Sequence, residues 1–339
     1  MIAAPTEKER LMRIAYVVPM TWSCGGIVAP FAHVNELIAR GHEVAVFAPD
    51  NEPVSWFPLR TAITIIPGNL EVGSPFDAVI FVGDSFRKVH FPAASRRFLL
   101  LQGKDYLWVG VTERASLLKA YADPQYHILA VSNWLADFVR KDCVARRVSV
   151  IGNGVDTSRF YPERPQRAGF RLLIEGNLPD PNKNVLDALE IARRVRQHEN
   201  VEVWAMARRF MSAASLVDRL FEDPTPDAIP EIYRQCDLLV KTSIMEGFGL
   251  PHLEAMACGC VPVTYSSGGV LDYCRHDENS LVAGVGNIPL MVWNSLRFLS
   301  DRALRTRLQA NAVATARSRP WSRVADQLES AISEELRSS

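Results

Sequence analysis

A short, nearly unbroken apolar run, then a turn, then a stretch of helical periodicity: this alternation recurs along the chain and restricts its fold more than any other feature. Arg13–Val18 is the first such run. Ser23-Cys-Gly-Gly26 turns out of it, and Val28, Phe31, Val34, Leu37 and Ile38 mark one face of a helix that Gly41 stops. Further runs lie at 43–47, 63–66, 77–82, 97–101 and 127–131. Strands apolar on both faces belong in parallel sheets covered by helices on both sides. The first half therefore predicts a Rossmann-like domain.

The alternation then restarts. Val148–Asp156 runs into a glycine-rich turn, and Tyr161-Pro-Glu-Arg-Pro165 has linker composition. New apolar runs follow at 171–175, 201–205, 237–241 and 261–264. At 339 residues, 48% of them hydrophobic, the chain is too long for one ordinary core and suits two. The expectation is an α/β chain of two Rossmann-like domains facing across a cleft, the first at 1–163 and the second at 164–318. Trp321, Val324, Leu328, Ile332 and Leu336 sit at helical spacing. They predict a C-terminal helix over 319–339 that crosses back to the first domain.

Charge narrows the ligands. Lys plus Arg equals Asp plus Glu at 38 each, so no global field attracts nucleic acid, and any anion site is local. The chain start lacks an apolar core of signal-peptide length, and no stretch approaches the roughly 20 apolar residues of a spanning helix. The expected location is cytoplasmic. Phe86, Arg87, Lys88, His90, Phe91, Arg96 and Arg97 form a basic, aromatic stretch, read either as a solvated loop face or as peripheral contact with the inner face of the membrane. The six cysteines show no paired CxxC spacing, and Cys258 and Cys260 read as small buried residues at a helix exit rather than as a thiol or metal site.

The chemistry concentrates in one segment, Thr242 to Gly259. It follows a strand and opens a helix, with Pro251 suited to the first helical position and Gly259 to the exit. Unpaired amides and the positive dipole end converge at such a start, and Gly247 and Gly249 let a phosphate approach the backbone. A diphosphate fits there. Glu246 lies in the loop and Glu254 about one turn into the helix, so both can reach one pocket at the carboxyl end of the sheet, where sugar and ribose hydroxyls would satisfy them. Taken singly, Glu246 reads as well as a surface loop charge, and Glu254 as an acid that favours the helix dipole.

Glu246-Gly-Phe-Gly-Leu-Pro-x-Leu-Glu254-Ala-Met-Ala-x-Gly259, followed by Pro262-Val263, resembles the signature of glycosyltransferase family 4, the retaining GT-B enzymes. The resemblance implies transfer of a hexosyl or deoxyhexosyl group from a nucleotide diphosphate sugar, without a metal or other cofactor. The acceptor would be a carbohydrate, a lipid-linked sugar or a small molecule, in bacterial-type polysaccharide, glycolipid or glycoconjugate synthesis. It implies that Glu254 binds the ribose and Glu246 the donor sugar, with the backbone of Gly247, Phe248, Gly249 and Leu250 holding sugar or phosphates. Gly25 and Gly26 resemble the family's first-domain glycine loop, and Lys183 its phosphate-binding lysine. Glu246 and Lys183 are thus the expected catalytic pair.

The pattern departs at two places. Asn177, a donor-binding candidate, stands where the family carries an arginine; its neutral amide can donate a hydrogen bond but cannot supply a second charge for the diphosphate, so Arg208 is a candidate substitute. Gln102 stands where a first-domain histidine is usual, leaving Asp84, Gln102 and Asp105 as acceptor-side candidates. His33 and His252 are assigned surface or packing roles. No Asp-x-Asp triplet is present for a metal-bridged diphosphate. These departures keep a second reading open, a catalytically weak or inactive sugar-nucleotide binding protein. A nicotinamide oxidoreductase fares worse, because Ser23–Ala29 is not G-x-G-x-x-G.

Overall fold

Each of these apolar runs is a strand in the computed structural model. The structure describes all residues except 1–10, 50–53, 67–69, 73–74, 84, 86–88, 93–94, 105–106, 108–109, 164–168, 209–214 and 338–339. By backbone contacts the chain divides into two units. The first comprises 1–131, 135–151 and 321–339, and the second 132–134 and 152–320.

In the first unit β1 (Arg13–Val17), α1 (Gly25–Ala39), β2 (Glu43–Ala48) and β3 (Ile63–Ile65) build one flank of a sheet. After β4 (Leu70–Glu71) come β5 (Ala78–Val82), β6 (Val89–His90) and β7 (Arg96–Leu101). Helix α2 (Val111–Ala122), β8 (Tyr126–Ala130), α3 (Asn133–Asp142) and β9 (Val148–Val150) complete the other flank. The seven-stranded sheet has the order β3-β2-β1-β5-β7-β8-β9. Every pairing in it is parallel. All five residues of β5 are buried, which is why its sequence is unbrokenly apolar.

The second unit repeats the plan. It contains β10 (Phe170–Glu175), α4 (Val185–Val195), β11 (Val201–Ala207), β12 (Arg219–Glu222), α5 (Ala228–Arg234), β13 (Leu238–Lys241), α6 (Leu250–Ala257), β14 (Val261–Tyr265) and β15 (Leu281–Ala283), then α7 (Ile288–Ser300) and α8 (Arg302–Arg317). Its parallel sheet has the order β12-β11-β10-β13-β14-β15. The edge strands β12 and β15 escape the sequence reading, β12 because charged residues bracket it and β15 because it is only three residues long.

The division after Ile151 falls ahead of the expected 163/164 boundary. The intervening turn packs on the second unit: Phe160 meets Tyr233 at 6.3 Å, and the Arg234 guanidinium donates to the Arg159 carbonyl at 3.1 Å. The C-terminal helix α9 (Trp321–Arg337) belongs to the first unit. It buries Val324, Ala325, Leu328, Ala331 and Ile332. Glu329 accepts from Arg40 and lies 2.6 Å from His42, while Glu335 pairs with Arg147 and, at 3.1 Å, with His127. His33, given a surface or packing role from the sequence, is buried against Trp321, and burial lowers its pKa to about 3.

Candidate active site

Strand order in the second unit reverses between β10 and β13. Loops leaving the carboxyl ends of two such strands open on either side of a topological switch point, where α/β sheets take their ligands. Glu175 ends β10 and Lys241 ends β13, so both charges stand at the floor of that opening.

The two loops are stitched together by Asn182. Its side-chain amide donates to the Met245 carbonyl at 2.9 Å and accepts from the Met245 amide at 3.0 Å, and the Ile244 amide donates to its backbone carbonyl at 2.8 Å. Thr242 adds a hydroxyl bond to the Asn184 carbonyl at 2.8 Å. Gly176, at φ +145°, lets the Lys183 stem pass: an added Cβ would lie 3.1 Å from Lys183 Cβ and 3.2 Å from Val185 Cγ2. Lys183 Nζ consequently reaches Glu246 Oε1 at 2.9 Å.

Glu246 is itself pinned, its amide donating to the Ser267 carbonyl at 2.8 Å and its carbonyl accepting from the Gly269 amide at 2.9 Å. A second cation lies behind it. Lys241, its side chain fully buried, places Nζ 3.8 Å from Glu246 Oε1, pairs with the Glu175 carboxylate and donates to the Glu175 carbonyl at 3.0 Å. Burial would push the Glu246 carboxyl up, but Lys183 and Lys241, and then His252, bring it down to about 2. Burial likewise opposes the charge on Lys183, and Glu246 and Glu175 outweigh it, holding its pKa above the usual lysine range.

Immediately beyond, Gly249 caps α6 in the left-handed conformation, at φ +87°. A Cβ there would sit 2.7 Å from Val270 Cγ1. The Tyr273 hydroxyl fastens the turn, 2.6 Å from the Gly249 carbonyl and 3.1 Å from that of Phe248, whose ring it faces at 5.0 Å. Phe248 and Leu250 are buried, so what they offer a ligand is backbone. Among the described residues the amides of Gly247, Phe248 and Gly249 donate to no protein group. Together with the first turn of α6 they form an anion-accepting start to the helix.

Glu254 has a different environment. Burial first, and the nearby Glu175 second, raise its carboxyl to about 7, against the pull of Arg159 and a hydrogen bond from Tyr233. Each carboxyl thus has its own partners within the protein, Glu246 two lysines and Glu254 the Tyr233 hydroxyl. His252 is fully buried, its Nε2 2.8 Å from Thr264 Oγ1, and burial lowers its pKa to about 3. It is packed inside the second unit.

Asn177 is already engaged: its Oδ1 accepts the Arg208 amide at 2.9 Å. The Arg208 guanidinium lies 3.4 Å from Asp223 and is half exposed. In the first unit, Gly25 and Gly26 open α1 behind Cys24, and Gln102 donates to the Gly26 carbonyl at 2.7 Å. These three cluster at the carboxyl end of that sheet. Asp84 and Asp105 lie outside the described residues, as do Phe86, Arg87 and Lys88. Phe91 is not part of an outward patch, because it is buried in a cluster with Phe47, Phe76 and Phe81. Among the described residues no helix is long and apolar enough to cross a membrane, and no three His, Cys, Asp or Glu side chains gather as a metal-ligand set. Cys258 and Cys260 are buried free thiols.

Lys241, Glu175 and Asn182 were not singled out by the sequence. Lys241 and Glu175 carried a weak signal, each a charge closing a largely apolar run.

Residues 217–315, which contain Lys241, Glu246 and Glu254, match the family model for glycosyl transferases group 1. The matched residues lie within the second unit. The chain is 30% identical over 224 residues to D-inositol 3-phosphate glycosyltransferase of Salinispora tropica, covering 56% of this chain and 46% of that one. It is 34% identical over 107 residues to the lipopolysaccharide core biosynthesis mannosyltransferase LpsB of Rhizobium meliloti, covering 31% and 30%. The chain thus spans about half, or less, of the curated relatives it matches. Among solved structures, Anabaena HepE in complex with UDP-glucose superposes with a TM-score of 0.76 at 15% identity, covering 97% of this chain and 100% of that one. Sucrose-phosphate synthase of Thermosynechococcus elongatus gives 0.76 at 14%, covering 96% and 100%. The fold is GT-B.

Proposed function

We propose that this chain is a retaining, metal-independent glycosyltransferase of family 4 that moves a hexosyl or deoxyhexosyl group from a nucleotide diphosphate sugar to an acceptor hydroxyl. The observation that carries the reading is a carboxylate held ionised by two lysines, Glu246, directly before a helix start whose amides are unpaired. The amides of Gly247 to Gly249 and the first turn of α6 bind the diphosphate, and Lys183 adds a mobile positive charge. Glu246 accepts hydroxyls of the donor sugar, and Glu254 meets the ribose.

In the reaction the bond from the anomeric carbon to the diphosphate oxygen breaks, and its electrons leave with the diphosphate. The acceptor oxygen attacks the same face of the oxocarbenium-like carbon and gives its proton to the departing phosphate oxygen. Lys183 and the helix start stabilise the charge that develops there.

Glu246→Gln tests this. It should lower turnover of the productive donor by about 100-fold or more while nucleotide diphosphate binding, read by calorimetry, stays near wild type. Turnover should also survive EDTA. Wild-type turnover by Glu246→Gln, or its loss in EDTA, overturns the respective part of the reading.

The engagement of Asn177 with the Arg208 amide favours one alternative, a sugar-nucleotide binding protein without transfer, since no second cation comes from that position. Tight binding without turnover across UDP, GDP, dTDP and ADP sugars would establish it.

A further inference from the structure

Glu246 has two cationic partners of different kinds. Lys183 sits on a loop, its side chain 27% exposed, and makes the shorter contact, 2.9 Å. Lys241 sits at the end of a central strand with 0% exposure, held by the carboxylate and carbonyl of Glu175, and faces the same Glu246 Oε1 at 3.8 Å. An ammonium shared between Glu246 and a diphosphate pairs less closely with each than with one alone. If Lys183 serves the phosphates, Glu246 would be left buried and charged unless another cation stays.

We propose that Lys241 is the resident counter-ion of Glu246 and Lys183 the exchangeable one, so that Lys183 passes to the donor diphosphate while Lys241 alone keeps the Glu246 carboxylate ionised. Lys241 is then a positioning residue, acting through Glu246, and Glu175 anchors it. The inference deepens the transferase reading and rests on it for the step in which Lys183 moves. Other groups facing this pair are His252 from α6, Tyr273 near the start of α6, and Asp180 beside Lys183. His252 is held neutral at pH 7 by burial, and burial holds the Tyr273 hydroxyl protonated. Neither can replace Lys241 as the cation.

Carbon-13 NMR of glutamate-labelled protein, with Glu246 assigned by difference against Glu246→Gln, tests the charge assignment without requiring activity. Lys183→Met imitates the departed lysine from an accessible loop. In that variant the Glu246 carboxyl should still titrate below the ordinary carboxylate range, because Lys241 remains. Adding Lys241→Met should raise its midpoint by about one pH unit or more, and adding Lys241→Arg instead should leave it low. A Glu246 midpoint at or above the ordinary range in Lys183→Met alone overturns the proposal, and that variant decides it even if the double variant fails to fold. Low midpoints together with no turnover of any sugar nucleotide by the wild type would instead remove the transferase reading and leave the charge assignment standing.

Discussion

The two glutamates of the signature, eight positions apart in sequence, are driven to different protonation states. Glu246 is ionised throughout the physiological range, whereas Glu254, raised to about 7, is close to half protonated at neutral pH. The raised carboxyl has a consequence for stability. Between the ordinary value of 4.5 and about 7 the folded chain holds a proton that the unfolded chain has lost, so stability falls as pH rises through that window. The loss approaches roughly 3 kcal/mol above pH 7. Glu254→Gln removes it while still accepting from Tyr233. Calorimetry should therefore show the variant melting several degrees above wild type at pH 8 and near it at pH 5. Equal melting at both pH values would exclude Glu254 as the source.

At the scale of elements, the helix start depends on a turn that only glycine fits. Gly249→Ala must tolerate both a left-handed backbone and a Cβ 2.7 Å from Val270, and should cost about 1–3 kcal/mol. Nucleotide diphosphate affinity should fall with it, because the α6 amides lose their aim, and an unchanged Kd would show that the ligand does not use them. The C-terminal helix offers a separate test in the first unit. Leu328, fully buried at the centre of α9, should cost about 2–5 kcal/mol on replacement by Ala, read as a lowered Tm. The periodicity of α9 was legible because a surface helix must keep one apolar stripe. Its ion pairs were not, since Glu329 meets partners 287 and 289 residues away.

For the whole molecule, a ligand that binds one unit stabilises what it binds. A matching sugar nucleotide at 100 times its Kd should stabilise the second unit by about 2.7 kcal/mol, seen as a rise in its calorimetric transition. A panel of UDP, GDP, dTDP and ADP sugars that shifts nothing would argue against a donor site. With 38 basic and 38 acidic residues, there is no net field to assist any anion, so a positive result would report the local site.

The strand runs, the two sheets and the helix start after β13 were determined by the sequence alone, because apolar continuity, glycine placement and helical spacing are local properties. So was the proximity of Glu246 to the glycine turn that opens α6, since both lie in one short segment. Only the tertiary structure decided which charges meet. Lys183 and Glu246 are 63 residues apart, and Lys241 and Glu175 are 66 apart; the parallel sheet sets β10 beside β13, and Asn182 draws their loops together. Whether a carboxylate is ionised depends on burial and on neighbours brought from other strands, and those distances exist only once the chain has folded.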